Sequence, residues 1–194
     1  MGNFSKILRT IHIGIVIATF LLNTGRIIKA VDIFNECLII LNGKALETIK
    51  ELTTPVIYKY IYHKLLDGYT LMGDHTRAIE YGEKVQVILH NSGNKEAEGM
   101  ILLKLAIIYH QRSKYEEAKQ SFEKVVSIMI ETEHDNRTVG LLYGNLGTVF
   151  QSVRQYTNAK EYFQKALVIR KEIGDKEGEA SDYGNLGSVF FFSC

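Results

Sequence analysis

Proline is nearly absent. Pro55 is the one example in 194 residues, so almost nothing interrupts a helix from within. Cysteine is scarce as well. Cys37 and Cys194 lie far apart, with no Cys-x-x-Cys or Cys/His spacing; that excludes a disulfide framework or a thiolate zinc site as the organising device and points to reducing, cytoplasmic surroundings. Neither sign of charge dominates: Lys plus Arg is 23 and Asp plus Glu is 22, a net charge of +1. No field of that size draws nucleic acid or an anionic membrane, and neither is expected as a partner. Also lacking is an uninterrupted apolar run of the roughly 20 residues that a membrane-spanning helix needs. The longest, Ile11 to Leu22 after Lys6 and Arg9, has about a dozen. Asn23-Thr24-Gly25 behind it is a poor cleavage site, and Lys6 stands where a myristoylation signal needs a hydroxyl. A short targeting segment is the alternative reading of this run. What remains is 46% hydrophobic and 23% charged, the balance of a folded chain.

The chain repeats itself. Tyr143-Gly144-Asn145-Leu146-Gly147-Thr148-Val149-Phe150 returns 40 residues later as Tyr183-Gly184-Asn185-Leu186-Gly187-Ser188-Val189-Phe190, with only Thr148 changed, to Ser188. Leu105, Ala106 and Tyr109 match Leu146, Gly147 and Phe150, and Leu65 and Tyr69 fit an earlier copy. Ala30, Ala78, Ala118 and Ala159 follow at spacings of 48, 40 and 41 residues. These marks divide the chain into units of approximately 10–42, 54–92, 95–132, 135–174 and a partial 176–194, with an insert between Asn42 and Thr53. Within a unit the apolar residues recur at helical spacing, as in Tyr143, Leu146, Gly147 and Phe150, then Tyr156, Ala159, Phe163 and Ala166, which predicts two amphipathic helices. Small residues at Ala18, Ala106 and Gly147 let the paired backbones approach, and Phe34, Phe122 and Phe163 are expected to fill the space between successive hairpins. Turns are predicted at Asn23-Thr24-Gly25 and Met72-Gly73-Asp74, and Thr54 before Pro55 reads as an N-cap followed by a first-turn proline.

The succession Leu146, Gly147, Phe150, Tyr156, Ala159, Phe163 and Ala166, and its copy Leu105, Ala106, Tyr109, Tyr115, Ala118, Phe122 and Val125, resembles the tetratricopeptide repeat pattern. Units near 40 residues exceed the usual 34, and no proline closes the second helix. With Gly-Asp-Lys-Glu-Gly-Glu-Ala at 174–180, they are similar to the repeats of G-protein-signalling modulators, kinesin light chains and tetratricopeptide repeat protein 28-like proteins. Leu66 and Gly82 replace the usual small residue and aromatic, so the second unit departs furthest. The resemblance implies an all-α, right-handed α-solenoid of antiparallel helix hairpins, about four plus one unpaired C-terminal helix.

It also implies a non-catalytic scaffold or signalling adaptor, without cofactor, that holds a protein or peptide partner in the groove lined by first helices. The residues placed on that lining are Leu141, Gly144, Asn145, Thr148, Gln151 and Ser152, then Asn185 and Ser188. An asparagine amide carries a donor and an acceptor and matches both groups of an extended peptide's amide; the alternative is that Asn145 caps a neighbouring carbonyl or is solvated. The family's carboxylate clamp of lysine and asparagine is missing, because Ile15, Thr19, His63, Asp67, Leu103 and Ile107 stand at its places.

Catalytic constellations are not found. The six histidines, His12, His63, His75, His90, His110 and His134, have no ligand spacing and read as surface or turn residues. Gly144-Asn145-Leu146-Gly147 lacks the ending of a phosphate loop and lies inside a helix pattern. Runs from Lys114 to Lys119 and from Lys171 to Glu179 alternate in sign, as solvated faces do. The fifth unit stops at Phe190-Phe191-Phe192-Ser193-Cys194 after its first helix. A bare apolar last helix predicts stickiness, a truncated transcript or a fragment of a longer array, and self-association through that helix is expected if it stays uncapped. A structural, self-associating segment of a larger multi-repeat protein is therefore the second reading, and a regulatory array joined to a catalytic domain the third.

Overall fold

The computed structural model describes residues 2–43, 54–132 and 136–193, and every regular element among them is an α-helix. The chain divides into two compact units, Met1–Ser92 and Gly93–Cys194. The first holds α1 (Gly2–Asn23), α2 (Ile27–Leu41), α3 (Thr54–Leu71) and α4 (His75–Asn91). The second holds α5 (Lys95–Gln111), α6 (Tyr115–Glu131), α7 (Asn136–Ser152), α8 (Tyr156–Ile173) and α9 (Lys176–Ser193). Within each unit helices adjacent in sequence pack on one another, and α9 lies on α8 and reaches α7. The fold is an all-α helical repeat, as the periodicity predicts. Most of the insert, residues 44–53, and the side chain of Thr54, called as a cap, lie outside the described residues; α3 begins at Thr54 with Pro55 in its first turn.

Each hairpin turn is closed by a backbone bond that reaches back five residues, such as Arg26 N–H to Leu21 O at 2.8 Å and Asp74 N–H to Tyr69 O at 2.9 Å. That closure needs one left-handed residue, supplied by Gly25 (φ 79°) and Gly73 (φ 74°) in the first unit. In the second unit Ser113 (φ 58°) and Arg154 (φ 60°) take the same place, at a strain of about 1 kcal/mol each. Asp74 and Asn94 cap the next helices by accepting from the N–H groups of Arg77 and Ala97, both at 3.1 Å.

The core is a row of large-against-small pairs. Ala18, Leu66, Ala106 and Gly147 occupy equivalent places in the first helices, and Phe34, Gly82, Phe122 and Phe163 in the second helices; all are buried. Phe163 seats against Gly147 inside its own hairpin, a place that the expectation of filling the space between successive hairpins did not include. A Cβ built on Gly147 would stand 2.6 Å from the Phe163 ring. In the α3/α4 hairpin the sizes are exchanged, Leu66 in the first helix and Gly82 in the second. Conserved volume is what a close-packed core tolerates best, and this explains why the unit that departs furthest in sequence still forms the hairpin.

Helix α1 extends well beyond the apolar run counted in the sequence. By length and composition its stretch Ser5–Asn23, mean hydropathy 1.6, is long and apolar enough to cross a membrane. Ile11 and Ala18 on one side of it are buried, while Ile13, Val16, Ile17 and Phe20 are exposed.

Candidate functional site

In the second unit the first helices of successive hairpins stand side by side. His110 Nε2 lies 3.2 Å from Ser152 Oγ and links α5 to α7; Gln151 Nε2 donates to Ser188 Oγ at 2.9 Å and links α7 to α9. Along α7, Leu141, Asn145, Thr148 and Ser152 follow steps of four, three and four residues, so they share one side of the helix. Leu141 is 48% exposed, Asn145 and Thr148 are half-buried, and Ser152 is exposed. Most of the polar groups in this row are already engaged. Thr148 Oγ1 donates to the Gly144 carbonyl at 3.1 Å, Ser152 Oγ donates to the Thr148 carbonyl at 2.9 Å, and Gln151 and Ser188 hold each other.

The two asparagines differ from their neighbours. Asn145 and Asn185, 40 residues apart at the same place in successive repeats, are both half-buried. Among the described residues neither side-chain amide makes a hydrogen bond. Neither amide is among the buried polar atoms that lack a partner, so solvent reaches both, and each can exchange water for a ligand's backbone N–H and C=O.

One residue assigned to the lining belongs elsewhere. Gly144 is buried, and a Cβ there would sit 3.5 Å from Arg170 Nη2 and 3.6 Å from Asp182 Oδ1, so it faces α8 and α9. Conversely, α5 contributes Met100, which was not assigned to the lining, and Ile107, which was named only as a place of the missing clamp. Met100 and Ile107, 58% and 41% exposed, stand 41 residues before Leu141 and Thr148, and that offset was the available signal. His110, read as a surface or turn residue, is half-buried against Ser152 and the Tyr115 ring, centroids 5.6 Å apart. Burial pushes its imidazole below the ordinary value of 6.5. At the clamp positions, Thr19 Oγ1 pairs with Tyr60 Oη at 2.9 Å and His63 Nε2 lies 4.0 Å from Asp67.

A second constellation holds α9 in place. Arg170 Nη1 donates to Asp175 Oδ2 at 2.9 Å, and Asp175 Oδ1 accepts the Gly178 N–H at 3.1 Å as the cap of α9. The Gly178 N–H first, and Arg170 with it, hold the Asp175 carboxyl below the ordinary carboxylate range. Arg170 Nε stands 2.7 Å from Asp182 Oδ2, an ion pair whose N–H is not aimed well enough for a hydrogen bond. Asp182 is 1% exposed; burial pushes its carboxyl up and Arg170 opposes the shift. The packing code is apolar and gives no hint of this pair. Arg170 and Asp182 occupy the places of Met129 and Leu142 one repeat earlier, both buried. No group of three or more His, Cys, Asp or Glu side chains suited to a metal ion occurs among the described residues.

Hairpins in series that present one side of their first helices define a helical-repeat protein of the kind that associates with other proteins. Family models described as tetratricopeptide repeat match residues 61–131 and 140–173, together more than half of the chain. The chain belongs to the tetratricopeptide repeat family. Comparison with curated proteins finds no match. Among solved structures the chain is similar to a signal transduction ATPase with a tetratricopeptide repeat sensor from Pyrococcus horikoshii (TM-score 0.74, 15% identity), over 93% of this chain and 27% of that one. It is also similar to the nearly identical TPR-like repeats of a putative kinesin light chain from P. anserina (0.69, 19%), over 92% and 84%. A third is aspartyl phosphate phosphatase F from Bacillus subtilis (0.64, 12%), over 95% and 49%. At such identities the likeness is one of fold. The chain spans about a quarter of the Pyrococcus protein's length.

Proposed function

We propose that the first-helix side of the second unit, α5, α7 and α9, holds an extended peptide segment of a partner protein. The observation that carries this is the pair Asn145 and Asn185. Their amides recur at a 40-residue spacing, half-buried and without a hydrogen bond among the described residues, beside polar neighbours that are already engaged. Exposed Met100, Ile107 and Leu141 supply apolar area next to them, so the preferred segment is extended, with aliphatic side chains. The asparagines fix its backbone and the apolar residues contribute most of the affinity.

The role is that of a non-catalytic scaffold. Thr148, Ser152 and Ser188, the hydroxyls in the row, are held by a backbone carbonyl or an amide; His110 Nε2 lies 3.2 Å from Ser152 Oγ, but the Ser152 proton is directed to the Thr148 carbonyl. A cytoplasmic setting fits a protein with so little cysteine. The test is selection of random twelve-residue peptides displayed on phage, followed by calorimetric titration of the winners. The reading expects the Asn145→Ala/Asn185→Ala variant to bind at least about tenfold more weakly, the loss of roughly 1.4 kcal/mol, with an unchanged melting temperature. Equal affinity for the variant would overturn it.

A further inference from the structure

On α9, Asn185 lies between two polar attachments, Asp182 before it and Ser188 after it, each about one turn away. Ser188 accepts from Gln151 of α7 at 2.9 Å. Asp182 stands 2.7 Å from Arg170 Nε of α8, and its Oδ1 comes within 3.6 Å of the place a Cβ on Gly144 would take. Gly144 directly precedes Asn145, so Asp182 meets α7 beside one asparagine and one turn from the other.

Glycines make the path of Arg170 to this point. Its Cγ passes 3.8 Å from the Cβ place of Gly140, Nη2 reaches 3.5 Å from that of Gly144, and a Cβ on Gly178 would overlap Nη1. One repeat earlier the same register is apolar. Met129 Cε lies 3.1 Å from the Cβ place of Gly99, which matches Gly140, and Leu142 stands where α9 has Asp182. Both Met129 and Leu142 are buried, so joining one hairpin to the next helix does not require charge.

A buried ion pair is a poor source of stability, because taking both charges out of water offsets most of their attraction; its best-attested use is to fix register. Burial raises the Asp182 carboxyl against the pull of Arg170, in keeping with a pair that adds little stability. What the pair adds is direction. A contact between methionine and leucine tolerates rotation, whereas a guanidinium tied to Asp175 at 2.9 Å and hemmed in by three glycines gives Asp182 one place to meet it. We propose that Arg170 and Asp182 are positioning residues of the peptide site, which fix the rotation of α9 against α7 and so set the Asn185 amide in line with that of Asn145. This rests on the peptide reading and deepens it; the pair itself touches no peptide.

The discriminating variant is Arg170→Met/Asp182→Leu, which installs the apolar pair of the preceding repeat. Its melting temperature should match or exceed that of the parent, while the display-selected twelve-residue peptide binds at least about threefold more weakly in calorimetric titration, one asparagine's share of a tenfold loss. In that background Asn185→Ala costs less than about 1.5-fold further, and Asn145→Ala keeps its full effect. If the pair served stability alone, affinity would follow the melting temperature. A second readout uses no peptide: nuclear Overhauser contacts between the Gln151 side-chain amide and the Ser188 β-protons, present in the parent, should be lost in the double variant. Parental affinity in the double variant, or an equal cost of Asn185→Ala in both backgrounds, overturns the proposal. A double variant that melts well below the parent, or one that keeps the Gln151–Ser188 contact at full strength, overturns it as well. Loss of that contact, with neither asparagine variant weakening binding to the parent chain, would keep the positioning role and sink the peptide reading instead.

Discussion

Replacing Arg170 by methionine should detach α9, and a second substitution should restore it. Asp182 is buried, with its charge matched by Arg170 Nε at 2.7 Å. Arg170→Met strands that carboxylate, and breaking a buried pair from one side costs about 3–5 kcal/mol. Asp182→Leu is milder, because Arg170 keeps Asp175 at 2.9 Å. The double variant Arg170→Met/Asp182→Leu reproduces Met129 and Leu142 of the preceding repeat and should return to within about 1 kcal/mol of the parent or exceed it, as apolar replacements of buried pairs do. If the 194-residue chain melts as one body, Arg170→Met lowers the melting temperature by about 6–20 °C, at 2–4 °C per kcal/mol. Repeat arrays also release strain by opening an end unit, so the assay is hydrogen exchange of residues 176–193 by mass spectrometry, alongside a circular dichroism melt. In Arg170→Met, exchange across α9 should accelerate about 100- to 4,000-fold, at tenfold per 1.4 kcal/mol, up to the limit set by α9's own opening. Burial raises the Asp182 pKa, so the folded state binds a proton more readily than the unfolded chain and the deficit should shrink as pH falls through that raised value. A double variant no more protected than Arg170→Met would refute the reasoning.

Other substitutions test the packing and the turns. Gly147→Ala should cost about 1–3 kcal/mol by forcing a methyl against Phe163, while Gly187→Ala, where a Cβ meets nothing within 4 Å, should gain about 0.5–1 kcal/mol from helix propensity; equal melting temperatures would contradict the packing assigned to the two glycines. Arg154→Gly relieves a left-handed residue at φ 60° and should raise the melting temperature by about 2–4 °C for 1 kcal/mol, whereas a lower value would mean that the turn is unstrained. The lowered pKa of His110 means that the unfolded chain binds the proton first. Stability from this group is complete above 6.5 and is lost as pH falls from there through the folded value. His110→Gln should therefore lose less melting temperature between pH 7.5 and 5.5 than the parent, and parallel losses would exclude the histidine as the cause.

The repeat made the architecture legible. Gly147 and Phe163 announce their pairing because the same sizes recur at Ala106 and Phe122 and at Ala18 and Phe34, and volume must be conserved at each contact. The exchanged pair Leu66 and Gly82 looked like a departure only because each residue was compared with its copies and not with its partner. Gly144 was placed on the wrong side because it lies between Leu141 and Thr148 on a helical wheel, and the wheel does not show that α8 and α9 close over it. The run from Lys171 to Glu179 read as solvated charge, yet Asp175 within it and Arg170 just before it anchor α9. Buried charge is legible only as a pair, and the two members, Arg170 and Asp182, lie on different helices. Asn145 and Asn185 were visible from their exact recurrence; that their amides make no hydrogen bond among the described residues was not.

The central claim is that these two amides receive a peptide backbone. The most direct measurement follows the side-chain amide resonances of Asn145 and Asn185 by nuclear magnetic resonance while a display-selected peptide is titrated into the nitrogen-15-labelled chain, each assigned by its alanine variant. The account predicts that both pairs of resonances shift and saturate with the affinity measured by calorimetry. Saturable binding that leaves both pairs unmoved would contradict it.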